Sequence, residues 1–307
     1  MTPARFAYKL VRYSGLPFLF RELLFRRATR IVVFHDPGPE AFDRALRYLR
    51  SRYNIITLAE HLSGRPLPPK PLVVTLDDGC IGNHALLGTI RSHGITPTLF
   101  LCAGIAGTNR HFWFLHTALT GSSEPFKTVP DTLRLSALEE MGFTPDREFD
   151  TPQALTREHI AAMKDHVDFQ SHGLFHACLP SCSTDVAEEE IAGSKRRLER
   201  SIGAPITAFA FPNGDYCARD IDLVKSAGFS CALTVDRGFN RRGDDPYRLK
   251  RFSVDDSGDI DALSAKVSGV WSLLTAMIGR RRYSGFVKRP IAQPITSPVE
   301  RFAHAEG

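Results

Sequence analysis

Pro71-Leu72-Val73-Val74-Thr75-Leu76-Asp77-Asp78-Gly79 is the stretch on which the reading of this chain turns. The run from Leu72 to Leu76 is apolar and β-branched and is bounded by Pro and Gly, the pattern of a buried strand. Two adjacent carboxylates at its mouth are costly there. Like charges so close drive their pKa values apart unless a cation lies beside them. The pair suits metal-assisted hydrolysis, in which one Asp holds the ion and the other takes a proton from water. Asp-Gly is also a common turn pair, so the surrounding chain must choose between a site and a surface turn.

Outward from this stretch, short apolar runs alternate with longer amphipathic ones, the pattern of an α/β fold with a parallel sheet. Strands are expected at 30–34, 72–76, 96–101, 167–170, 206–211, 231–235 and 251–254. Helices are expected at 40–53, with Phe42, Ala45, Leu46 and Leu49 on one face, at 184–202 with Thr184-Asp185 as cap, and at 219–227 before Gly228. Polar, metal-capable residues follow strand after strand. His35 and Asp36 follow the first, Asp77 and Asp78 the second, Ser171 and His172 the fourth, Asn213 the fifth, and Asp255 and Asp256 the seventh. In a barrel of parallel strands all these ends open on one face, where chemistry is done. The fold expected is a distorted (β/α)7 barrel forming a single catalytic domain over 30–260. An insertion at 107–150 separates the third and fourth strands, a basic amphipathic extension precedes the barrel at 1–29, and a helix with a basic tail follows at 261–307.

With 307 residues, 43% of them hydrophobic and 24% charged, the chain has enough apolar material for a large core and lacks the composition of a disordered segment. The net charge of +5 is concentrated at the ends. Arg5, Lys9, Arg12, Arg21, Arg26, Arg27 and Arg30 face only Glu22, and Arg280, Arg281, Arg282, Lys288 and Arg289 lie near the C-terminus. The near-neutral middle argues against a nucleic-acid groove. Basic ends beside apolar residues suit peripheral contact with a membrane face. No signal peptide or spanning segment is read, so the expected location is cytoplasmic or peripheral to the inner membrane face. The six cysteines are read as reduced. Cys178 and Cys182, close behind His176, could recruit zinc, but a thiolate site would be closed to substrate and free thiols are preferred.

His172-Gly173-Leu174-Phe175-His176 sets two imidazoles four residues apart. On a helical turn they share a face, about 5–6 Å apart at Cβ. HxxxH alone is common. Joined to Asp78 from another strand end, it makes a two-His, one-carboxylate set with positions left open for water and substrate.

The Thr75–Gly79, Ser171–His176 and Phe209-Ala210-Phe211-Pro212-Asn213-Gly214 segments, in this order, resemble the motifs of the polysaccharide deacetylase family, whose members share the NodB homology domain. Val32-Val33-Phe34-His35 is similar to the strand with which many members begin. The resemblance implies that Asp78, His172 and His176 hold a divalent ion, usually zinc, with cobalt, nickel or manganese able to serve. It implies that Asp77 is the general base, and that a backbone N–H near Asn213 helps hold the oxyanion. The substrate would be an N-acetylated saccharide and the products acetate and a free amine.

The chain departs from the family pattern in three places. Gly173 stands where Ser or Thr is usual, which removes a hydrogen bond supporting the ligands. Ala210 stands where many members carry an Arg that orients the base; Arg248 or Arg251, from the last strand, is expected to replace it. The late Leu-x-His that supplies an acid has no match, and His35 is the stand-in. Two rival readings keep the motifs: hydrolysis of another C–N amide (a formamide or cyclic amide), or a degenerate saccharide-binding relative. In the insertion, His111-Phe112-Trp113-Phe114-Leu115-His116 reads either as a lid with rings for sugar faces or, preferably, as a small helix packed on the barrel.

Overall fold

The computed structural model describes residues 2–118 and 122–277. Its frame is a parallel sheet of β1 (Arg30–Phe34), β2 (Asn54–Ile56), β3 (Pro71–Leu76), β4 (Thr98–Leu101), β5 (Asp168–Ser171), β6 (Ala208–Ala210), β7 (Cys231–Leu233) and β8 (Phe252–Ser253). The order is β7-β6-β5-β4-β3-β1-β8, with β2 beside the start of β3. Every ladder is parallel. A parallel bridge from Leu233 to Leu249 links β7 to the segment entering β8, which pairs with β1. The sheet therefore curls toward closure, and the distorted (β/α)7 barrel is the fold observed.

Strand alternation sorts the side chains. Val32, Phe34, Leu72, Val74, Leu76, Leu99, Leu101 and Phe252 pack outward under the helices. Ile31, Val73, Phe100, Ala208, Ala210, Cys231 and Leu233 fill the barrel. With a period of two, positions 73, 75 and 77 of the β3 line turn inward, which carries Asp77 into the interior. Pro39–Arg50 is the expected amphipathic helix, with Phe42, Ala45, Leu46 and Leu49 buried.

Several expectations need correcting. β2 was not foreseen: three residues directly behind a helix carry too little pattern to separate from its end. It pairs with Pro71–Val73 of β3, while β4 pairs further along at Thr75 and Leu76. The 184–202 helix is capped by Ser183, whose hydroxyl accepts from Val186 N–H, and is broken by a π-helical turn at Glu189–Gly193. The N-terminal helix Pro3–Tyr13 packs on Ile260–Val267 and Val270–Met277 through Val11, with Phe20, Ala265 and Val270. The basic tail from Arg280 to Arg289 lies outside the described residues. No described helix is long and apolar enough to cross a membrane.

Candidate metal centre and active site

Asp77 and Asp78 leave β3 in different directions because the backbone changes hand between them. Asp77 N–H still bonds Phe34 C=O, continuing the β1 ladder. Asp78 has φ 70° and Gly79 φ 75°. Asp78 in this left-handed conformation costs on the order of 1–3 kcal/mol. The kink brings its carboxylate to the two imidazoles instead of outward under the helices. Gly79 is required by sterics as well: a Cβ there would sit 2.4 Å from Leu101 Cδ2.

The His motif is not helical, contrary to expectation. Residues 172–178 form a loop in which Gly173 (φ 81°) and His176 (φ 58°) are left-handed. The rings nevertheless meet, with centroids 5.0 Å apart. Two devices hold the loop. The Glu190 carboxylate, from the π-helical turn, accepts Leu174 N–H at 2.9 Å and Phe175 N–H at 3.1 and 3.2 Å. From the insertion, buried Trp113 donates its Nε1–H to His176 C=O at 2.8 Å. A Cβ on Gly173 would lie 2.9 Å from Glu190 Oε2, so the carboxylate fills the space a Ser or Thr side chain would need. The support expected to be missing is supplied by Glu190. Burial pushes its pKa up to about 7 against the pull of the two N–H groups.

Three ligand atoms converge. Asp78 Oδ1 lies 3.4 Å from His172 Nε2 and 3.3 Å from His176 Nε2. It is buried and accepts no well-formed hydrogen bond. Such an orphaned buried carboxylate oxygen is costly. Ligands about 2.0–2.2 Å from a tetrahedral ion stand about 3.3 Å from one another, so the spacing is that of neighbouring ligands. His172 Nδ1 bonds Ala210 C=O at 2.8 Å, which fixes the ring and leaves Nε2 free to ligate. Burial lowers the His176 pKa, favouring the neutral ring a metal needs. Burial opposes ionisation of Asp78, but the two imidazoles outweigh it and hold the carboxyl well below its ordinary range. This donor set fits a divalent ion. Among the described residues it is the only His, Cys, Asp and Glu group close enough to hold one. Cys178 and Cys182 are free thiols; Cys178 Sγ accepts from Asn213 Nδ2 at 3.4 Å.

Asp77 is clamped from across the barrel. Arg251, fully buried, gives Nη1 to Oδ1 at 2.7 Å and Nη2 to Oδ2 at 2.8 Å. Burial raises the Asp77 pKa, yet Arg251 and His172 more than offset this and the carboxyl lies below its usual range. Arg248 does not take this place. It lies in the turn before β8, exposed, with Nε 3.2 Å from the Tyr216 hydroxyl. The reason is strand parity: Phe252 faces the helices, so Arg251 turns inward.

A cavity of about 330 Å³ opens over the cluster. It is lined by Asp77, Asp78, His172 and His176, by His35 and Asn213, and by Phe114, Lys127, Val235 and Arg237. His35 is an exposed residue at the end of β1, its N–H bonded to Asp256. Asn213 (φ 56°) sits in the tight turn Pro212–Gly214. Phe112 and Trp113 pack as a small helix would, whereas Phe114 reaches the cavity, 4.8 Å from the His176 ring. The insertion thus packs a short helix on the barrel and also brings one aromatic ring to the cavity wall.

A family model described as polysaccharide deacetylase matches residues 64–232, over half of the chain. The chain belongs to the polysaccharide deacetylase family. Comparison with curated proteins gives no match. Among solved structures, this deacetylase-family chain is similar to Streptococcus pyogenes deacetylase PplD in complex with acetate (17% identity, 78% of this chain, 99% of that one, TM-score 0.56). It is similar to IcaB from Ammonifex degensii (18%, 78% and 97%, 0.56) and to BC0361, a polysaccharide deacetylase from Bacillus cereus (19%, 78% and 70%, 0.55). At these identities the likeness is one of fold.

Proposed function

We propose that the chain is a metal-dependent hydrolase that removes N-acetyl groups from amino sugars of an envelope polysaccharide or glycolipid. The observation that carries this reading is a single cavity joining a buried, ion-paired carboxylate, Asp77, to the Asp78–His172–His176 ligand set. A binding module has no use for a base beside a metal site.

A divalent ion held by Asp78, His172 and His176, zinc before cobalt, nickel or manganese, would polarise the acetyl carbonyl and acidify water. Asp77, kept ionised by Arg251, takes the proton from the attacking water. A backbone N–H of the turn around Asn213 receives the charge that develops on the acetyl oxygen. His35, at the rim, gives a proton to the departing amine as the C–N bond breaks, leaving acetate and a free amino sugar. Phe114 offers a ring face to the sugar, while Lys127 and Arg237 meet its polar groups.

Acetate release from N-acetylglucosamine oligomers tests the reading. Wild type should release acetate, a chelator should abolish release and zinc should restore it. Asp77→Asn should be inactive while still holding metal. Full activity of Asp77→Asn would remove Asp77 as base; a zinc-loaded wild type releasing no acetate would remove the substrate class.

A further inference from the structure

The N-terminal helices carry an apolar face that the fold does not bury. Pro3–Tyr13 buries Val11 and packs Tyr8 on Trp271, ring centroids 4.5 Å apart. On another stripe, at i, i+4 and i+7, Phe6, Leu10 and Tyr13 are 51, 57 and 70% exposed. In the turns that follow, Phe18, Leu23 and Leu24 are 60, 68 and 56% exposed. These six large apolar side chains, exposed within nineteen residues, mark an interaction surface.

Cations border it. Two residues after Leu24, Arg26 and its neighbour Arg27 enter a cleft of about 920 Å³ that Arg65, Arg241 and Arg242 also line. Its acid, Asp244, accepts the backbone N–H of Arg241. Glu22, the one acid of the first thirty residues, is held by Arg21 and Lys70. Among the described residues none of the five cleft arginines forms an ion pair with an acid.

We propose that this face seats the protein on an anionic lipid bilayer, with the apolar side chains entering the acyl boundary and the arginine cleft taking headgroup phosphates. Charge selects this occupant. Residues 278–307 carry Arg280, Arg281, Arg282, Lys288, Arg289 and Arg301 against Glu300 and Glu306, so folding them over the face would bring like charges together. A second copy related by a two-fold axis would set the same arginines against each other. An anionic leaflet supplies the opposite sign, worth about 1 kcal/mol per basic residue near the surface. The cleft lies at the N-terminal ends of β1 and β3, whereas the ligand cluster lies at the C-terminal end of β3, about 20 Å away along six residues of strand. Seated in this way, the catalytic mouth faces away from the bilayer, toward glycan that stands off it.

The test is flotation of the full-length protein with phosphatidylcholine vesicles, with and without phosphatidylglycerol. Binding to the anionic vesicles is expected, at least about tenfold tighter than to phosphatidylcholine alone and weakened by salt. Arg26→Gln with Arg27→Gln should weaken it about thirtyfold. Phe18→Ser with Leu23→Ser should weaken it at least about tenfold, with melting temperature and acetate release from soluble oligomers unchanged, because these side chains are exposed and far from the cavity. Three results would overturn the proposal. One is absence of binding to either vesicle. Another is binding that ignores the anionic lipid. The third is a lipid-free oligomer that Phe18→Ser with Leu23→Ser dissolves, which would make the face an interface between copies.

Discussion

Asp77 and Asp78 are chemically identical neighbours in different surroundings, and the roles proposed for them follow that difference. Asp77 is matched to a bidentate guanidinium; Asp78 faces two imidazoles with an oxygen left open. Asp77→Asn should therefore lower kcat by about 10²–10⁴-fold without loss of metal, read by steady-state kinetics and elemental analysis. Arg251→Gln should act differently. Arg251 depresses the Asp77 pKa, so its removal lets that pKa rise. A base is lost as pH falls through its pKa, and the acid limb of kcat/KM should move to higher pH. The variant should also be less stable by about 3–5 kcal/mol, since it leaves a buried carboxylate unpaired. An acid limb that stays in place would uncouple the two residues. The sequence singled out both aspartates and both histidines because each pair lies just beyond a strand, and the structure brings Asp78, His172 and His176 together. Arg251 was legible only as one of two arginines. The alternation of Phe252 and Val254 with Arg251 and Ser253 was the signal that separates them, since the apolar pair must face the helices.

At the scale of elements, the His loop depends on the π-helical turn packed behind it. Sequence suggested one unbroken helix at 184–202, and nothing in its periodicity marks the extra residue that delivers Glu190 inward; burial of a carboxylate against two loop N–H groups is a tertiary arrangement. Two outcomes follow from it. Gly173→Ser should destabilise the protein by about 1–3 kcal/mol in denaturant melts, because φ is left-handed and the new Cβ meets Glu190. The second outcome concerns pH. The folded state raises the Glu190 pKa from 4.5 to about 7, so it binds the proton more tightly than the unfolded chain does. The resulting stabilisation is present below the unfolded pKa and is lost as pH rises through about 7, a change of about 3 kcal/mol. Glu190→Gln should flatten that fall relative to wild type in urea titrations across this range. Identical pH profiles would mean that Glu190 is not protonated in the fold. The insertion behaves similarly. Its aromatic run was conspicuous in the sequence, but only the three-dimensional contact shows Trp113 bonding His176 C=O and Phe114 facing the cavity.

For the whole molecule, the parallel barrel was written in seven apolar runs with polar residues at their ends, a pattern that long-range packing had little freedom to overrule. The short β2, with its three residues, carried no such pattern. The fold separates two mouths, one with Asp77 beside the Asp78–His172–His176 cluster, the other with arginines near exposed apolar side chains, so the proposed chemistry and the proposed docking can be perturbed independently. The central claim concerns the first mouth: three residues from two distant segments hold one ion. Metal content by elemental analysis, on wild type and His176→Ala purified side by side after incubation with zinc, tests it most directly. The account predicts about one equivalent in the wild type and a large loss in the variant, because only two ligands remain. A wild type that stays empty, or a variant that holds as much zinc as the wild type, would contradict it.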